Sequence, residues 1–168
     1  MVWVNIIAIL ILFFSFLGGL QKGAIRNSFS LLVLIIAIPT TGALYYLIAT
    51  ILAFLPGTNW ENFIGFFITM SLVTVILYFV FFLPRRIAEK LWKRGVLFRL
   101  VGGALNVLST GIGMVVFTLV LGTYPIINWL AQVVVNASVP VWLVGHLNFV
   151  LRLLPETFRQ VTTFISIW

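Results

Sequence analysis

Residues 3–32 read WVNIIAILILFFSFLGGLQKGAIRNSFSLL. From Trp3 to Leu20 the run is apolar apart from Asn5 and Ser15. Its 18 residues, at about 1.5 Å each, reach roughly 27 Å, close to a bilayer's hydrocarbon thickness. Gln21 to Asn27 then carry Lys22 and Arg26, and Ser28 opens a second apolar run. Two apolar spans around a short basic connection make the pattern of a transmembrane helical hairpin. A cleaved signal peptide fits less well, because no basic stretch precedes the run and no small-x-small site follows it.

The rest of the chain repeats the pattern. Of 168 residues, 62% are hydrophobic and 8% charged, against about 25% charged in a soluble domain. Such a chain cannot cover its surface with polar groups, so that surface must face lipid. The spans read as 3–20, 28–55, 63–83 and 100–122. Pro39 is expected to kink the second. Pro56-Gly57 ends it, and Thr58-Asn59-Trp60-Glu61 reads as a capping box for the third. The tail, 123–168, is apolar but broken by Asn128, Gln132, Asn136, Pro140, Asn148 and Pro155. Val141 to Leu154 is short for a span, and Phe158, Val161, Ile165 and Trp168 recur at helical spacing. The expected fold is therefore an all-α membrane protein. A four-helix transmembrane domain, 1–122, carries C-terminal interfacial or re-entrant amphipathic helices. A fifth span near 126–150 is the alternative.

Charge sets orientation and partners. The net charge is +7, and Arg85 to Arg99 hold six of the ten basic residues. The connection 56–62 has none. The bias places both basic connections in the cytoplasm and both termini outside. Arg152 and Arg159 oppose this only weakly. Between Arg85 and Arg99, Ile87, Ala88, Leu91 and Trp92 share one helical face, and Arg85, Glu89 and Lys93 are four apart. That is a short helix in the headgroup plane, with Arg85, Arg86, Lys90, Trp92, Lys93, Arg94 and Arg99 as the residues that meet anionic headgroups. Nucleic acid is a poorer partner, because the basic stretch runs into membrane spans at both ends.

The chemistry of most enzymes is missing. The chain has no cysteine, no aspartate, one histidine and three scattered glutamates. No metal or cofactor site can be assembled from these, and no phosphate loop is present. His146 reads as a headgroup or packing residue. The spans hold no ionisable group, which argues against a proton pump. What they do hold is small and weakly polar. Asn5, Ala8, Ser15 and Gly19 share one face of the first span, and Gly102, Asn106, Ser109 and Gly113 share one face of the fourth. Lipid tails are as apolar as leucine, so close backbone approach and shared polar groups must join such helices. These faces are expected to meet each other or another protein. Gly113→Leu should then disrupt assembly, while Val116→Leu, on another face, should be tolerated.

Two stretches carry a family resemblance. Gly19-Leu20-Gln21-Lys22-Gly23-Ala24-Ile25-Arg26 is followed by Ser28-Phe29-Ser30-Leu31-Leu32, and Arg99-Leu100-Val101-Gly102-Gly103-Ala104 runs into Gly111 and Gly113. With Val2-Trp3-Val4-Asn5-Ile6-Ile7, the chain resembles the colicin V production (CvpA) family of bacterial inner-membrane proteins over residues 1–122. Three positions depart from the family's pattern. Asn27 and Phe98 stand where an acid is usual, and Asn106 where glycine is common. The resemblance implies a non-enzymatic protein that assists production or export of a secreted peptide toxin, or envelope organisation. The alternatives are an accessory subunit of a larger respiratory, photosynthetic or secretory complex, and a small channel. Expected partners are membrane lipids and other membrane subunits or a second copy.

Overall fold

A single residue separates the first two helices of the computed structural model, which describes residues 2–91 and 95–158. Helix α1 (Val2–Lys22) ends at Gly23, whose φ of 78° is open to glycine, and α2 (Ala24–Ile51) starts at once. The chain reverses there. Ser15 and Gly19 of α1 lie against Asn106 and Gly102 of α5 (Val96–Thr123), so those helices run antiparallel. Ala24 and Tyr45 of α2 lie against Gly102 and Tyr124, so α2 runs parallel to α5. Helix α3 (Thr58–Val80) returns beside α2, with Gly65 on Ala49 near one end and Ser30 bonded to Tyr78 near the other. The four long helices are each apolar and long enough to cross a bilayer. Large side chains such as Phe13, Phe14, Ile76 and Phe79 point outward, as lipid contact allows.

Helix α5 is the axis. Ile112, Val115, Val116, Leu119, Val120 and Leu121 are almost fully buried. Val116 therefore lies in the core, and the expectation that Val116→Leu would be tolerated is corrected, since a filled core resists an added methylene. Helix α2 starts four residues earlier than read and continues through Pro39. The proline leaves the Ile35 carbonyl without an amide, and the Thr40 hydroxyl donates to the neighbouring Ile36 carbonyl at 2.8 Å. The expected capping box at Thr58 does not form. Gly57, at φ 102°, is the cap, so Thr58 is already helical and caps nothing. The Glu61 amide donates to the Gly57 carbonyl instead. Helix α4 (Phe82–Leu91) follows α3 after Phe81. Pro84 sits in its first turn, where no backbone donor is needed.

The tail enters the bundle and comes back. On α6 (Asn128–Val135), Ala131 and Val134 bury against Val4 and Leu121. At the start of α7 (Ser138–His146) the Val139 amide donates to Asn5 Oδ1 at 3.0 Å. The two helices meet at 61°. Helix α7 then descends until Leu143 and Leu147 reach Gly111, about 18 Å along α5 from its end at Thr123. The helix breaks at Leu147, and α8 (Asn148–Leu153) turns back. Pro155 lies on Gly42, and Phe158 packs among Tyr45, Phe66 and Tyr124. The stretch read as 141–154 is thus two short helices around a break, and no single straight helix covers 126–150. The periodic positions Val161, Ile165 and Trp168 lie outside the described residues.

Candidate functional site

Four glycines and two asparagines join the elbow to α5. At Gly19, a Cβ would lie 2.6 Å from the Gly102 carbonyl oxygen and 2.8 Å from Gly103 Cα. At Gly102, it would lie 2.6 Å from the Gly23 carbonyl carbon and 2.9 Å from the Ala24 nitrogen. Backbone thus touches backbone, which only glycine permits. Polar groups lock the contact. Asn106 Nδ2 donates to the Ser15 carbonyl at 2.6 Å, and the Ser15 hydroxyl reaches both the Asn106 carbonyl at 3.0 Å and Thr110 Oγ1 at 2.6 Å. Below them, Asn27 is 1% exposed. Its Nδ2 faces the carbonyls of Gly19 at 3.1 Å, Gly23 at 3.0 Å and Gly102 at 2.9 Å. Three acceptors around one group fix the amide's orientation, because a side-chain oxygen there would face only lone pairs. The family's usual acid at this position has no such donors when ionised. In this chain an amide holds α1, α2 and α5 together.

The structure brings Ser15, Gly19, Gly102 and Asn106 into one contact and leaves other members of the two faces elsewhere. Ala8 is buried, and Asn5 holds the tail rather than α5. Ser109 donates to its own helix at the Leu105 carbonyl. Gly113 does not meet α1 closely, because nothing lies within 4 Å of where its Cβ would be. It floors an apolar groove with Ile7, Ala8, Ile11, Met114 and Phe117. Asn27 was missed as a packing residue although Gly19, Gly23 and Asn27 are four apart, the spacing that carries a helix face across the elbow. Thr110 was missed for the same reason, being four beyond Asn106.

At the basic end, Arg85 Nε donates to Glu89 Oε1 at 2.9 Å, and Arg86 stands 4.6 Å over the Phe82 ring. Arg86, Lys90 and Arg99 are exposed and Arg85 is partly so. Trp92, Lys93 and Arg94 lie outside the described residues. With Lys22 and Arg26, the described cations of the two basic connections gather at this end of the bundle.

Residues 4–148 match the sequence profile of the colicin V production protein. The chain belongs to that family. Comparisons with curated proteins and with solved structures give no match.

Proposed function

We propose that this member of the colicin V production family is a non-enzymatic, multi-pass protein of the bacterial cytoplasmic membrane. It assists the production or export of a peptide toxin, or the organisation of the envelope. The family match supports the reading, since it takes in all four long helices and the tail through α7. The basic end faces the cytoplasm and both termini face outward. On that side, the charges of α4 and its loop engage anionic headgroups. Each contributes about 1 kcal/mol near the surface, less at high salt. Two experiments test this. In a toxin-producing bacterium deprived of its own family member, this chain should restore secreted toxin, and unrestored secretion refutes the role. A peptide of residues 82–99 with Arg86, Lys90, Lys93 and Arg94 changed to glutamine should bind anionic vesicles more weakly; unchanged binding leaves those charges with orientation alone.

An accessory subunit of a larger complex is the second reading, and one observation favours it. The break at Leu147 is level with Gly111, well inside the bundle's length, and the flanking His146 and Asn148 are exposed. Irregular backbone facing lipid at that depth is strongly unfavourable unless protein or water covers it. Purification in mild detergent decides: a large partner at fixed stoichiometry supports the subunit, and a chain recovered alone removes it.

A further inference from the structure

We propose that a cavity at the basic end binds a phosphomonoester, carried either by a lipid headgroup or by a soluble phosphate compound. The cavity, of about 160 Å³, lies where the elbow, α4 and the first turn of α5 meet. Lys22 and Arg26 line it from the elbow, Arg99 from α5 and Glu89 from α4. Among the described residues, three cations and one acid leave a formal lining charge of +2. Glu89 is already bonded to Arg85 at 2.9 Å. The chain's other two acids, Glu61 and Glu156, are both at the opposite end, Glu61 in the first turn of α3 and Glu156 two residues from Phe158, which packs on Tyr124. This end therefore lacks the acids to neutralise its own cations, and an anion from outside must do so.

The backbone points the same way. Helices α2 and α5 both start at this cavity, behind Gly23 and Gly95, with no side-chain cap and no acid in the first turn. Their first-turn amides have no acceptor within the helix, and their positive ends add to the three side chains. The charge selects the ligand. A phosphomonoester carries about −1.5 to −2 and three terminal oxygens at neutral pH. It matches the +2 lining and offers separate edges to two guanidinium forks. A phosphodiester has one charge and two terminal oxygens, and satisfies less of the site. The inference does not depend on the toxin role, and its cavity is distinct from the outward stripe of Arg86 and Lys90.

The test uses the full chain in nanodiscs of neutral lipid, doped with phosphatidic acid or phosphatidylglycerol at equal mole fraction, with bound lipid counted by native mass spectrometry. Phosphatidic acid should be retained at one per chain, about tenfold in preference to phosphatidylglycerol, as one added charge-assisted bond implies. The variant K22Q/R26Q/R99Q should lose that preference, and R86Q/K90Q should keep it while binding less anionic lipid in general. Titrating glycerol 3-phosphate or inorganic phosphate into detergent-solubilised protein separates the sources. Competition with phosphatidic acid assigns the site to a soluble phosphomonoester, and its absence assigns it to the lipid. Equal retention of the two lipids by the native chain overturns the proposal, with no variant needed. So does a folded K22Q/R26Q/R99Q that keeps the preference. Undiminished general binding of anionic lipid by R86Q/K90Q would strike the headgroup role of α4 and leave the cavity standing.

Discussion

Replacing Gly102 by alanine adds one methyl to the most crowded point of the bundle. It would lie 2.6 Å from the Gly23 carbonyl carbon, 2.8 Å from the Gly19 oxygen and 2.9 Å from the Ala24 nitrogen. Ordinary carbon contacts are about 3.5–4.0 Å, so the elbow must retreat by roughly 1 Å. All three obstacles are backbone, and no rotamer relieves them. The same retreat stretches the 2.9 Å bond from Asn27 to the Gly102 carbonyl beyond hydrogen-bond range. Overpacking costs about 1–3 kcal/mol and the lost bond about 0.6 kcal/mol. Gly113→Ala, about three turns along the same helix, is the control, since nothing lies within 4 Å of its Cβ. Both changes gain the same helix propensity, about 1 kcal/mol, so that term cancels between them. Gly102→Ala should therefore be less stable than Gly113→Ala by about 2–4 kcal/mol. Reversible unfolding in mixed micelles, followed by tryptophan fluorescence, measures the difference. Equal midpoints would refute the close-approach argument.

Asn27→Ala removes a donor shared by three buried carbonyls and should cost about 1–3 kcal/mol in the same assay. Asn27→Asp should cost more, because a carboxylate offers only lone pairs to those oxygens. Tyr124, just past the end of α5, has its hydroxyl pKa pushed above the ordinary tyrosine value by burial and then by its hydrogen bond to Tyr45. A raised folded-state pKa means stability that is fully present below about pH 10 and lost as pH climbs beyond it. The unfolding midpoint should fall above about pH 10, and Tyr124→Phe should lessen that fall. For orientation, cysteine at Thr58 should react with an impermeant reagent on intact cells, and cysteine at Gly95 should not; the reverse would invert the proposed topology. Thr58 is used because neighbouring Gly57, at φ 102°, would strain any side chain.

The long helices were legible because each needs only one-dimensional information, namely about twenty apolar residues between polar breaks. The meeting of α1 and α5 at Gly19 and Gly102 was legible for a related reason, since small residues four apart describe a face without knowledge of the partner. What the spacing could not give was where that face stops being a contact. Gly113 continues the series from Gly102, yet it looks into a groove, with nothing within 4 Å of where its Cβ would be. The apparent capping box failed on a smaller scale. Thr58 and Glu61 have the right spacing, but Gly57 starts the helix one residue early and leaves the threonine nothing to cap.

The tail was the least legible part, and its composition explains why. A segment that crosses the membrane must be apolar all round, whereas one that enters and returns need be apolar only where it meets lipid. Between Val139 and Phe158 the buried set is Pro140, Leu143, Val144, Val150, Leu154 and Phe158. Those positions fit no single helical period, because the helix breaks at Leu147 and resumes in a new direction. The break also accounts for the placement of the polar residues. His146 stacks on Trp142 at 4.1 Å and its Nδ1 lies 2.9 Å from the Trp142 carbonyl, so the histidine closes the last turn of α7. Asn148 then opens α8. Both lie beside a stretch of tail backbone that leaves the helix beneath the end of the bundle. Residues that looked like obstacles to a fifth span are therefore residues of a turn. A turn at that depth needs protein or water around it, and hydropathy along one chain carries no record of either.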